Sequence, residues 1–295
     1  MQKAIFVHVF VWCLFVTLVF GVLALSRGPV TATNNEAVPT LEYTIAESKP
    51  VPDVAGYLVQ DAETGEILLG HESNTVRPTA SVIKLLVASA ALTSPLLDAT
   101  TTITASDVAA PEDFGKLEVG EMYTLRELLF PYLIESSNDA GVAIERTWGE
   151  ALTPIIRDII TTAGVDGQAL VADFNGLEAE TAASPQALAI LLKHLEATTP
   201  TVFDITSLSQ YVGTHPLVNN SPFIADERYR GGKHGYTPEA GKTAVLRLAH
   251  SFGEHERPLL VVIQGSNNLL ETKRQLLEQL DTAVELVSAT SEINK

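Results

Sequence analysis

Between Ser81 and Leu92 the chain reads Ser-Val-Ile-Lys-Leu-Leu-Val-Ala-Ser-Ala-Ala-Leu, with no glycine or proline and with Lys84 as its one charge. Leucine and alanine are strong helix formers, and a helix that is apolar on nearly every side has no face to give to solvent. It must be enclosed, which excludes a small open module and calls for a layered domain. The chain has the means, with 295 residues of which 46% are hydrophobic. Strand-like apolar runs lie at both ends of the folded part and helical periodicity fills its middle, so the arrangement predicted is an α/β layer interrupted by a helical insertion.

The same helix carries chemistry. Positions i and i+3 share a helix face, so the Ser81 hydroxyl and the Lys84 amine are directed to one side. A serine hydroxyl is a poor nucleophile until a base takes its proton, and a lysine serves as that base only when apolar burial or a second cation lowers its pKa. Val82, Ile83, Leu85 and Leu86 supply the apolar setting, and the positive end of the helix dipole beside Ser81 favours an oxyanion. Taken alone, the pair is explained as well by a capping serine and a snorkelling lysine. Ser136-Ser137-Asn138 falls on a loop between predicted helices, where a plain helix cap is the competing explanation. Lys233-His234-Gly235-Tyr236-Thr237 falls on a predicted strand behind Gly231-Gly232, glycines that let another backbone or a ligand come close.

Apolar runs from Gly56 to Gln60 and from Glu66 to Leu69, around Glu63-Thr64-Gly65, predict a β-hairpin. Helices are predicted from Ser81 to Leu92, Leu125 to Ile134, Ala140 to Trp148, Leu152 to Ala163, Pro185 to Glu196 and Leu270 to Val287. Late strands are expected from Gly232 to Tyr236, Ala244 to Ala249 and Leu259 to Gln264, the last two joined by a polar turn from Ser251 to Arg257.

Residues 4–25 are 22 positions without a charge, which as a helix would reach roughly 33 Å, enough for a bilayer core. The run is long for a cleaved signal, so residues 1–25 are expected to be an uncleaved signal anchor, although Leu23-Ala24-Leu25-Ser26 offers a weak cleavage site that would release the protein. Lys3 before the span and Arg27 after it modestly favour a cytoplasmic start and an extracytoplasmic remainder. Residues 26–53, with Pro29, Pro39, Pro50 and Pro52 and no sustained apolar period, read as an extended tether, and residues 54–295 as the folded domain. The sole cysteine, Cys13, lies in the uncharged run, which leaves the rest of the chain no disulfide and no thiolate. A net charge of -17 disfavours nucleic acid and anionic lipid head groups as partners. His71, His194, His215, His250 and His255 lack a metal-ligand spacing, so no metal and no cofactor is expected.

The order Ser-x-x-Lys, Ser-x-Asn, Lys-x-Gly is similar to that of the penicillin-recognising serine enzymes. The words around it, Asp61-Ala62-Glu63-Thr64-Gly65, Gly120-Glu121, Thr124 to Leu129, Ser136 to Ala140 and Gly235 to Gly241, narrow the match. From about Val54 to the last helix the chain resembles the D-alanyl-D-alanine carboxypeptidases among the low-molecular-weight penicillin-binding proteins. The resemblance implies a β-lactamase/transpeptidase-like α/β fold, an antiparallel sheet flanked by helices with an inserted all-helical subdomain. It implies peptidoglycan stem peptides as substrate and β-lactams as covalent inhibitors. By position, Ser81 matches the nucleophile and Lys84 its base, while Ser136 and Asn138 match the loop that relays the proton and orients the substrate amide. Lys233 matches the strand cation, the backbone N–H groups of Ser81 and Tyr236 match the oxyanion hole, and Gly235 and Thr237 complete the substrate-binding strand.

His234 stands where the family has Thr or Ser, so a hydroxyl for the substrate carboxylate is replaced by an imidazole. Neutral, it still donates one hydrogen bond; protonated, it would attract a carboxylate and alter the pH profile. It also keeps open a second class of function, an impaired module that binds peptidoglycan or β-lactam without turnover. A β-lactamase is a third possibility through Glu180, although the Glu-x-x-Leu-Asn word that activates the deacylating water is absent. Glu178 and Glu180 follow Asn175-Gly176-Leu177, a segment that resembles the family's Gly-Leu region. Arg228, Arg230 and Arg247 surround the strand motif and could add positive potential, but read more simply as solvated surface positions.

Overall fold

The structure is a computed structural model, and it describes residues 50–111, 115–252 and 255–293, with side chains through residue 282. The expected anchor and nearly all of the expected tether therefore lie outside the described residues. No helix among the described residues is long and apolar enough to cross a membrane.

Five antiparallel strands form the main sheet: β1 (Gly56–Asp61), β2 (Ile67–His71), β3 (Tyr229–Thr237), β4 (Gly241–Phe252) and β5 (His255–Ser266), in the order β3-β4-β5-β1-β2. The central strands read as continuous apolar runs because both faces are covered. Leu58, Val245, Leu260 and Val262 point into the helical lobe. Their neighbours Tyr57, Val59, Ala244, Leu246, Val261 and Ile263 point to the other face, onto Leu276, Leu277 and Leu280 of the closing helix. The two clusters use opposite parities of the same strands, which fixes their register.

The helical lobe is built on the apolar run from which the fold was argued. A 3-10 turn (Ala80–Ile83) leads into α1 (Lys84–Thr93), every residue of which from Lys84 to Ala91 is buried. Around it pack α2 (Leu125–Ile134), α3 (Asn138–Thr162), α4 (Pro185–Thr198) and α5 (Thr201–Ser207), while α6 (Leu269–Ile293) closes the far side of the sheet. Thr124 caps α2 reciprocally with Glu127, its hydroxyl accepting the Glu127 N–H while the Glu127 carboxylate takes the Thr124 N–H.

Two expectations need correction, and one element was missed. The two helices expected between Ala140 and Ala163 are one, running through Gly149 and Pro154, because Trp148, Leu152, Ile156 and Ile160 keep one continuous buried stripe. The polar turn expected from Ser251 to Arg257 is mostly strand: Phe252 is in register with His255, and Arg257 is buried against Asp61 and Glu63. α5 was not anticipated, since seven residues are too few for a helical period to declare itself.

Candidate active site

Ser81 sits inside the 3-10 turn, three residues before Lys84 at the head of α1, a spacing that keeps the two on one side. Ala80 enters the turn in left-handed backbone, at φ 47°. Thr243 of β4 gives its hydroxyl to the Thr79 carbonyl at 2.9 Å, which fastens the turn that carries Ser81 to the sheet.

Lys84 is 0% exposed. Its amine donates to the Ser136 carbonyl at 2.6 Å, the Ser137 carbonyl at 3.3 Å and Asn138 Oδ1 at 2.8 Å, and it lies 5.1 Å from the centre of the Tyr132 ring. An amine buried this deeply is tolerated because oxygens and an aromatic face surround it. The loop that supplies them is itself held open: Ser136 is left-handed at φ 62°, a conformation costing about 1–3 kcal/mol that persists only where neighbours enforce it. Glu135 does so from one side, its carboxylate accepting the N–H groups of Gly115 at 3.0 Å and Val218 at 2.9 Å, and its carbonyl accepting Asn220 Nδ2 at 2.7 Å. On the other side Ser137 caps α3 by accepting the Ala140 N–H, and Asn138 Nδ2 donates to the Pro111 carbonyl.

The third element is the edge strand β3. Gly235 lies flat against Ser81, since a Cβ there would fall 2.5 Å from Ser81 N. Lys233 is buried on the helical side, and its amine donates to the His234 carbonyl at 2.8 Å. Burial pushes its pKa down to about 7. His234 pairs with Ala244 and so takes the opposite face of the strand from Lys233, which pairs with Val245. Desolvation, helped by the Lys233 charge, holds the imidazole pKa down at about 3. It is therefore neutral at working pH, and the protonated form weighed from sequence plays no part there. Tyr236 is 60% exposed beside Gly235. The Thr237 hydroxyl accepts the Ala240 N–H, so it is engaged in the turn between β3 and β4.

The expected residues thus fall on three elements that meet at Ser81. A fourth element, noted from sequence only for its likeness to the family's Gly-Leu region and given no role, joins them. The loop from Asp173 to Glu178 lies against the Ser81 turn, and a Cβ at Gly176 would come 2.0 Å from the Ala80 carbonyl oxygen. Asn175 accepts the Ser81 hydroxyl on its backbone carbonyl at 3.4 Å. Tyr132 donates its hydroxyl to the Phe174 carbonyl, and the Glu145 carboxylate, its pKa raised by burial, accepts the Phe174 N–H. Glu178 and Glu180 are exposed. Arg228 is paired with Asp226, and Arg247 with Glu196. No group of three His, Cys, Asp or Glu suited to a metal occurs among the described residues.

Comparison with known proteins identifies the family. The sequence profile of the D-alanyl-D-alanine carboxypeptidase family matches residues 44–267. D-alanyl-D-alanine carboxypeptidase DacB2 of Mycobacterium tuberculosis is 29% identical over 223 residues, which is 68% of this chain and 72% of that protein. Among solved structures, a D-alanyl-D-alanine carboxypeptidase of Mycobacterium tuberculosis superposes with a TM-score of 0.69 at 25% identity, covering 81% of this chain and 95% of that one. The fold is shared with a penicillin-binding protein of Listeria monocytogenes solved in its cefotaxime-bound form, with a TM-score of 0.68, 18% identity and coverage of 81% and 99%. With the family profile spanning most of the folded domain, this chain belongs to the D-alanyl-D-alanine carboxypeptidase family of serine hydrolases.

Proposed function

We propose that Ser81 is the nucleophile that removes the terminal D-Ala from peptidoglycan stem peptides. The observation that carries the assignment is the enclosure of Lys84, one helical turn after Ser81, with its amine held against Ser136, Ser137 and Asn138. In this reading the Ser81 proton passes to Lys84 as Oγ bonds to the carbonyl carbon of the penultimate D-Ala. The oxyanion is held by the backbone N–H groups of Ser81 and Tyr236, donors that need no reorganisation as charge develops. The C–N bond then breaks, the leaving nitrogen takes the proton by way of Ser136, and D-Ala departs. Water attacks the ester and frees the shortened peptide. Asn138 orients the substrate amide, and Lys233 attracts the terminal carboxylate. Hydrolysis, endopeptidase cleavage and transpeptidation share this acyl-enzyme and differ in what attacks or leaves; membership of the carboxypeptidase family supports hydrolysis of the terminal residue. β-Lactams acylate the same serine. Residues 1–25 anchor the chain in the membrane, residues 26–53 tether it, and residues 54–295 work on the extracytoplasmic side, a division supported by the uncharged run of 22 residues.

Intact-mass measurement after incubation with a penicillin tests the reading. The expected result is a persistent adduct on the wild type that Ser81→Ala lacks. An adduct that vanishes within minutes would favour a β-lactamase, and none on a folded protein would favour the impaired binding module.

A further inference from the structure

The loop after Asp173 reaches the catalytic centre through one residue. Asn175 is 3% exposed. Its carbonyl accepts the Ser81 hydroxyl at 3.4 Å, and its side-chain Nδ2 donates to the backbone carbonyl of Asn138 at 3.2 Å. Asn138 in turn holds Lys84 through Oδ1. The nucleophile, its base and the interhelical loop are therefore joined in a ring that closes through Asn175.

The surroundings are shaped to keep it there. Asp173 Oδ1 accepts the N–H groups of Asn175, Gly176 and Leu177 at 2.8, 2.6 and 3.1 Å, while Oδ2 accepts the Glu178 N–H and the Thr181 hydroxyl at 2.9 Å each. One turn into α3, a Cβ at Gly141 would come 1.9 Å from Asn175 Oδ1, so the helix leaves room for this side chain and nothing more. Oδ1 itself is buried without a hydrogen-bond partner. Leaving a buried amide oxygen unsatisfied is costly, and such groups in folded proteins call for an explanation in function or strain.

We propose that Asn175 is a positioning residue for the acylation step: it sets the Ser81 hydroxyl with its backbone and fixes the Asn138 backbone, and hence the Lys84 amine, with its side chain. This rests on the reading of Ser81 and Lys84 given above.

The test is the rate of penicillin acylation across pH, read by intact mass, together with the thermal midpoint. Asn175→Ala removes the tether to Asn138 and is expected to slow acylation about tenfold at every pH. Asn175→Asp keeps the size but places a carboxylate near Lys84, among Tyr132 on α2, Asp139 and Glu145 on α3, and Asp173 on its own loop. A nearby negative charge favours the ammonium form of a lysine, so the acid limb of the Asp variant is expected to move to higher pH, a shift that loss of packing would not produce. Asn175→Ala should melt within a few degrees of the wild type, whereas Asn175→Asp, which buries a carboxylate, is expected to melt lower and is assayed at a temperature where it is fully folded. Acylation within twofold of wild type in both, or a fall matched by loss of folded protein with an unmoved acid limb, would overturn the inference. A wild type that takes no penicillin would instead remove the reading of Ser81 and Lys84, and this inference with it.

Discussion

Lys233 and His234 stand side by side on β3 but answer different questions. Burial holds the Lys233 pKa down at about 7, well below the ordinary lysine value. In the free enzyme its charge fades as pH rises through that value, so kcat/KM for a peptide with a free carboxylate is expected to fall on the alkaline side with an apparent pKa near 7. His234, held neutral above about 3, contributes no limb in the working range. His234→Thr should therefore leave the alkaline limb in place, whereas an ester substrate without the carboxylate should weaken it; pH profiles of the two substrates on both proteins check this. The stability linkage has a definite sign. Between about pH 7 and the ordinary lysine value the unfolded chain binds the proton that folded Lys233 has released, so this residue makes stability rise with pH across that window.

At the level of elements, the loop from Asp173 to Thr181 is organised by one carboxylate rather than by secondary structure. Asp173→Ala removes the acceptor of four backbone N–H groups and one hydroxyl. Hydrogen bonds to charged groups contribute about 1.5–3 kcal/mol each at most, and these share one partly exposed side chain. The expected outcome is amide exchange at least tenfold faster in residues 173–181, with a much smaller loss of global stability, as exchange mass spectrometry would show. This loop also marks where sequence reading stopped. Ser81, Lys84, Ser136, Asn138 and Lys233 were legible because their order and residue types spell out a reaction, and α1 and α2 because their apolar patterns are strong. The Asn175-Gly176-Leu177 segment was legible only as a likeness to the family's Gly-Leu region, and Tyr132 and Glu135 not at all, because each acts through a backbone carbonyl or amide from far along the chain. A Tyr in an apolar helix and a Glu at a helix end look ordinary until the fold brings them together. The same holds for α3, whose Gly149 and Pro154 mimic a boundary that side-chain packing overrides.

For the whole molecule, the proposed anchor and tether have a mechanical consequence. A flexible linker of the length of residues 26–53 has a root-mean-square reach of roughly 30 Å, which would confine the active site to wall close to the bilayer. The full chain is expected to sediment with membranes and resist high-salt extraction, while a form beginning at Val30 stays in the soluble fraction; equal partitioning of the two would remove the anchor. Within the folded domain, the glycines at 141, 176 and 235 each leave no space for a methyl group beside Asn175, Ala80 or Ser81. Gly141 and Gly176 carry no reactive group, yet any side chain there would push Asn175 or the turn that carries Ser81 out of line. The set of sequences open to this enzyme is therefore narrowed by room as well as by reactivity. A library selected for β-lactam resistance would find few routes through these positions, because a substitution that displaces the drug there displaces the enzyme's own serine as well.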